Sequence, residues 1–129
     1  VRNVATPTMM EVMILVIKRV YDPAADCDGF RVLVDRLWPR GVSKSKAKLG
    51  LWLKAIGPST DLRKWFGHDP ARFEEFRARY IRELDGNPAV SELASICKEH
   101  DMVTLLYAAK DPEHNQAVVL RDYLAARLA

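Results

Sequence analysis

The sequence predicts an α/β domain: a small three-layer arrangement in which a short, mostly parallel sheet of about three strands is flanked by about five helices. Three observations lead there. Short apolar runs at Val12 to Ile17, Val32 to Leu37 and Met102 to Ala108 are too brief for helices and suit covered strands. Between the second and third runs lies a long stretch with helical spacing of apolar residues. Each strand candidate also ends in polar residues that no periodicity explains, which is where open α/β sheets collect ligands.

At 129 residues, 49% hydrophobic and 29% charged, the composition is that of a globular domain rather than a disordered chain. The longest apolar run is too short to cross a bilayer, and Val1 to Met10 lacks an export-signal pattern, so a cytoplasmic protein without membrane attachment is expected. Residues 1–12 read as a loose arm, with Met9, Met10 and Met13 as candidate starts, and residues 13–129 as one domain. Cys27 and Cys97 are expected to be free thiols. Two cysteines cannot build a structural zinc site unaided.

Taken in order, Glu11 to Val20 forms the first strand, stopped by Tyr21-Asp22-Pro23. The turn-rich linker DPAADCDG is short for a parallel crossover, which usually needs a dozen residues or more, so its length leaves the topology open, with antiparallel pairing of the first two strands as an alternative. The central strand opens at Phe30 and runs into Trp38-Pro39-Arg40-Gly41, which cannot continue a central strand because proline lacks the donor. Ser45 would cap a helix with Leu49, Trp52, Leu53 and Ile56 on one face, stopped by Gly57-Pro58. Ser59 caps a second, Asp61 to Phe66, closed by Gly67. Asp69-Pro70 opens a third, with Phe73, Phe76, Tyr80 and Leu84 as its buried stripe and Gly86 at its end. Asn87-Pro88 opens a fourth that buries Val90, Leu93 and Cys97. Met102 to Ala108 is the next strand, and a last helix covers about Glu113 to Leu128.

Charge is unevenly placed. Arg36 to Lys64 holds eight basic residues against Asp61 alone, a local net of +7, in a chain whose net charge is +3; the remainder therefore carries −4. That asymmetry points to an anionic partner. Among the strand-end residues, Arg36, Arg40 and Lys110 are candidate anion ligands, since guanidinium binds carboxylate and phosphate through parallel N–H donors. Trp38, Ser43, Tyr107 and Asn115 are further candidate contacts. Asp35, Asp111 and His114 are candidate proton carriers, the last because an imidazole titrates near neutrality. Asp35 and Arg36 are neighbours on an extended chain and face opposite ways, so one is expected to hold a loop while the other faces the pocket. A helix N-terminus beyond the strand ends would add N–H donors. Each candidate also has a plain structural reading, as a loop arginine, a core tryptophan or a helix-capping polar group. No metal-binding spacing, phosphate loop, nucleophile elbow or dinucleotide fingerprint is present, and the sequence leaves any cofactor unknown.

Taken together, VYDPA, GFRVLVDRLWPRGVSK, LWLKAIGPSTDLRKWF, FRARYIREL and TLLYAAKDPEHNQAVVL resemble the bacterial YeaO-like proteins, a branch of a wider domain family of unknown function, over about Met13 to Leu124. The resemblance implies a small cytosolic α/β protein with the RLWPRG and AKDPEHN segments as its signature, and it favours parallel pairing of the first two strands. Another branch carries Cys-Ala-Glu and Cys-His-Arg runs where this chain has Tyr107-Ala108-Ala109 and His114-Asn115-Gln116, so thiol chemistry does not carry over. Two functions remain open: an enzyme or sensor for a small anionic, phosphorylated or nucleotide-like ligand at the strand ends, or a nucleic-acid-binding or regulatory module using the basic 36–64 segment.

Overall fold

A computed structural model describes residues 14–128; the arm expected over 1–12 lies outside them. Four strands, β1 (Ile14–Arg19), β2 (Phe30–Leu33), β3 (Leu51–Trp52) and β4 (Met102–Tyr107), form one sheet in the order β1-β4-β2-β3, parallel throughout. Five helices accompany it: α1 (Lys44–Ala47), α2 (Thr60–Phe66), α3 (Phe73–Asp85), α4 (Ala89–Glu99) and α5 (Gln116–Leu128). None of these is long and apolar enough to cross a membrane.

Sheet register sorts the side chains into two unequal layers. Val32, Val103, Leu105 and Tyr107 face the main core, which α2 to α5 complete with Phe66, Phe76, Tyr80, Leu93, Leu120 and Leu124. Leu33 and Leu106 face the other way, under a thin cover of Val20, Trp38, Val42, Leu49 and Trp52. The caps read from sequence form. Ser59 accepts from Leu62 N–H at 3.2 Å, Asp69 from Ala71 at 3.0 Å and Asn87 from Ala89 at 2.9 Å, each satisfying a donor that a helical turn leaves free. Asp69 caps a 3₁₀ turn, Pro70–Arg72, that leads into α3.

The helix expected from Ser45 through Ile56 is replaced. Ser43, not Ser45, caps the four-residue α1, and Lys48 closes it in the left-handed region at φ 46°. Gly50 N–H then donates to Arg31 carbonyl at 2.8 Å and Leu53 N–H to Leu33 carbonyl at 3.0 Å, making Leu51–Trp52 a sheet edge. Pairing with β2 overrides the local spacing, which suits either state over so few residues. A 3₁₀ turn at Lys54–Ile56 follows.

Nor do the first two strands pair with each other. β4 lies between them, parallel to both. The connection, residues 20–29, is laid across the thin face and pinned by one carboxylate. Asp28, 6% exposed, accepts from Lys18 Nζ at 3.0 Å, from Arg31 Nη1 at 2.5 Å and from Ala25 N–H at 3.0 Å, while its carbonyl accepts from Thr104 Oγ1 at 2.6 Å. Burial raises the Asp28 pKa, but these bonds outweigh it and hold the carboxyl below its ordinary value. Next in the chain, Gly29 takes φ 65° with its Cα against Met102; a Cβ there would meet the Met102 carbonyl oxygen. Gly29→Ala is therefore expected to lower stability by more than about 1 kcal/mol, since alanine adds both strain and a clash. A denaturant midpoint unchanged from wild type would refute this.

Candidate functional site

Beyond the carboxyl ends of β2 and β4 opens a cleft of about 650 Å³, and its floor is made by the residue types that end those strands. Val34 N–H still pairs with Leu106 carbonyl at 3.1 Å, so Asp35 is the first residue released from the ladder. Its Oδ2 accepts from Ala108 N–H at 2.9 Å, capping the exit of β4, and its Oδ1 accepts from Gln116 Nε2 at the start of α5. Desolvation drives the Asp35 pKa up to about 6, against the opposing pull of the Ala108 N–H and the Arg63 charge.

Arg36 follows in a bend rather than in extended chain, and it is tied down. Its Nε donates to the carbonyls of Gly57 at 3.1 Å and Pro58 at 2.6 Å, tying the strand exit to the turn before α2. Trp38 packs edge-on against Trp52 at 5.3 Å between centroids and donates Nε1 to Val42 carbonyl at 2.7 Å. The loop is fixed on its outer side by Tyr21, whose hydroxyl donates to Arg40 carbonyl at 3.0 Å. Arg19, at the end of β1, donates Nε to Ala109 carbonyl at 2.9 Å and fixes the loop after β4.

The segment after β4 organises itself. Asp111 Oδ1 accepts from the N–H groups of Glu113 at 2.9 Å and His114 at 3.1 Å, and Oδ2 pairs with His114 Nδ1 at 2.8 Å. The Glu113 N–H first, then the His114 side chain, hold the Asp111 carboxyl below its ordinary pKa. Buried Asn115 donates Nδ2 to Asp111 carbonyl at 2.8 Å and accepts from Val118 N–H at 3.1 Å. This leading turn caps α5 from within, so Val118 N–H is spent on Asn115 rather than offered to a ligand.

Of the residues singled out from sequence, Asp35, Arg36, Trp38, Arg40, Lys110 and Asp111 line the cleft together. The others lie elsewhere. Ser43 caps α1 by accepting from Lys46 N–H at 3.2 Å, Tyr107 is 3% exposed in the main core, Asn115 caps α5, and His114 sits edge-on to Phe73 at 5.2 Å. The cleft adds residues that sequence reading did not place there: Arg63, His68 and Gln116, with Pro58 and Phe66. One signal was available for Arg63, which stands three residues before the buried Phe66 and so shares its side of α2. His68 arrives through a left-handed step at φ 58° after Gly67, and nothing local marks Gln116.

Electrostatically the cleft is positive. Arg36, Arg40, Arg63 and Lys110 line it together with Asp35 and Asp111, four cations and two carboxylates. Arg63 Nε is buried and has no hydrogen-bond partner, a costly state for a charged donor unless something is meant to meet it. Its helix is held firmly: Ser59, the α2 cap, donates its N–H at 2.8 Å and its hydroxyl at 2.6 Å to Glu83 of α3. Among the described residues, no group of three or more His, Cys, Asp or Glu side chains is arranged to hold a metal ion.

An all-parallel α/β domain with a cationic cleft at its strand ends is the class that fold and site define. The family model described as the inactive DUF488-N3 subclade matches residues 14–129, and the chain belongs to that family. YeaO of Escherichia coli, an uncharacterised protein, is 48% identical over 108 residues, covering 83% of this chain and 93% of the relative. Uncharacterised proteins of Mycobacterium tuberculosis and Mycobacterium bovis are each 40% identical over 111 residues, covering 86% of this chain and 93% of theirs. No solved structure matches the chain.

Proposed function

We propose that the strand-end cleft binds a small phosphorylated molecule, a phosphate monoester, and that the protein acts by holding it rather than by transforming it. The observation that carries this reading is the charge of the cleft lining, which has two more cations than carboxylates, Arg63 among them. A phosphate monoester is close to a dianion at neutral pH and presents several strong acceptor oxygens. Against turnover, the groups suited to move protons are already occupied. Asp35 caps β4, and Asp111 with His114 forms the leading turn of α5. The family's description as an inactive subclade agrees with binding.

The basic 36–64 segment supports a nucleic-acid surface less well. Its α1 part lies over the thin face, where Ala47 carbonyl accepts from Arg31 at 3.0 Å, whereas Arg63 and Lys64 belong to α2 on the opposite face. The charge is thus divided between two sides of the sheet.

Thermal-shift titration with ribose 5-phosphate, at low and moderate salt, tests the reading. Wild type is expected to be stabilised with modest salt dependence, and Arg40→Ala to bind about tenfold more weakly or worse, as loss of a charge-assisted contact requires. Equal affinity in the two proteins would count against the cleft. Stabilisation by an oligonucleotide alone, lost steeply with salt, would favour the nucleic-acid reading.

A further inference from the structure

Resting on that reading of the cleft as a phosphate-monoester site, we propose that its occupant is an aryl phosphate, an aromatic ring carrying the monoester, rather than a sugar phosphate. The lining is graded from apolar to cationic. Pro39, Pro58 and Phe66 line the cleft and are buried, whereas Arg40 and Lys110 line it and are exposed. Both loops that leave the sheet carry the same order: Leu37-Trp38-Pro39 precedes Arg40 after β2, and Ala108-Ala109 precedes Lys110 after β4. Apolar residues come first after each strand, and each run closes on a cation in contact with water.

That gradient suits a ligand with an apolar body and an anionic end. A sugar body brings several hydroxyls, each of which loses its hydrogen bonds to water unless the lining replaces them. The carboxylates that could accept from them are already engaged. Asp35 accepts from Ala108 N–H and Gln116, and Asp111 from the N–H groups of Glu113 and His114. Desolvation, which drives the Asp35 carboxyl up to about 6, reports the same scarcity of water. An aromatic body fits better than an aliphatic one, because Trp38, Phe66 and the two prolines offer flat faces. The guanidinium groups of Arg36, Arg40 and Arg63 line the same space, and a cation attracts the face of a ring but not an alkyl chain. Trp38 is already held by Val42 carbonyl and Trp52, so this wall is preformed. Leu37, 60% exposed, also lines the cleft, and covering it with an apolar occupant is favourable. About 650 Å³ exceeds what inorganic phosphate needs and is within the usual size of a small-molecule site.

A free aryl phosphate and a phosphotyrosine side chain share this chemistry. Calorimetric titration slightly above neutral pH, where the monoesters are close to dianions, with phenyl phosphate, cyclohexyl phosphate, ribose 5-phosphate and phenol separates the possibilities. Phenyl phosphate is expected to bind about tenfold tighter than ribose 5-phosphate, with cyclohexyl phosphate between them and phenol far weaker than phenyl phosphate. Leu37→Ala, a change at an exposed position, should weaken phenyl phosphate about threefold more than it weakens ribose 5-phosphate. Equal wild-type affinity for phenyl phosphate and ribose 5-phosphate, or an equal loss of both in the variant, would overturn the aryl assignment and leave the phosphate site standing. Cyclohexyl phosphate binding as tightly as phenyl phosphate would overturn the aromatic body. Phenol binding as tightly as phenyl phosphate, or no binding by any phosphate, would remove the phosphate site itself. A phosphotyrosyl peptide that binds no tighter than phenyl phosphate assigns the free small molecule, and tighter binding assigns the side chain.

Discussion

Asp28→Ala is expected to lower stability by about 3–5 kcal/mol, the largest loss of any single polar substitution considered, because it strands a buried arginine. Arg31 is 4% exposed. Its Nη1 is held by Asp28 at 2.5 Å and its Nε by Ala47 carbonyl at 3.0 Å, while its Nη2 is already buried without a partner. Removing the carboxylate leaves that cation uncompensated and frees Lys18 and Ala25 N–H from the crossover. The pH dependence has a definite sign. A carboxyl whose folded pKa is lowered contributes stability above its unfolded value of 3.8 and loses it as pH falls through the folded pKa. Wild type should therefore lose stability below the ordinary carboxylate range through this group, and Asp28→Ala should lack that component. Urea denaturation across acid pH measures both, and a variant within about 1 kcal/mol of wild type would refute the expectation.

Asp35→Asn should act in the opposite direction. With a folded pKa of about 6 against 3.8 for the free group, the fold favours the neutral carboxyl, so its contribution is full below pH 3.8 and is lost as pH rises through 6. The shift corresponds to at most about 3 kcal/mol. Asparagine keeps the shape, and its oxygen can still accept from Ala108 N–H while its amide meets a reversed Gln116. At neutral pH the variant is expected to be more stable than wild type by up to that amount, with a flat profile where wild type declines. Melting temperatures measured across this range decide it. Equal slopes in the two proteins, or a variant less stable at every pH, would show that Asp35 is needed as a carboxylate for folding.

Features set by neighbouring residues were legible in the sequence. Ser59, Asp69 and Asn87 cap turns within three residues of themselves, and the Phe73, Phe76, Tyr80 and Leu84 stripe is buried as its spacing requires. Features set by distant partners were not. Leu51–Trp52 is a strand because β2 offers an edge, although its spacing reads equally as helix. The crossover after β1 is parallel because Asp28 finds Lys18, Arg31 and Thr104 on the sheet face, which linker length does not reveal. The site divides the same way. Asp35, Arg40 and Lys110 stand next to strand ends and carry their own signal, while Arg63, His68 and Gln116 reach the cleft only once α2 and α5 pack against the sheet. Arg36 illustrates the ambiguity between ligand and scaffold, since its Nε is committed to the carbonyls of Gly57 and Pro58 although the residue also lines the cleft.

The most direct test of the phosphate-monoester cleft is the nuclear magnetic resonance signal of Arg63 Nε–H, followed as ribose 5-phosphate is added to ¹⁵N-labelled protein. A saturable shift of that signal, accompanied by the amides of Ala108 and Lys110, is the expected result, because an anion entering the cleft changes the surroundings of a guanidinium that lines it. An Arg63 signal that stays fixed while the lysines at 44, 46 and 48 respond would contradict the account and move the anion-binding surface to α1.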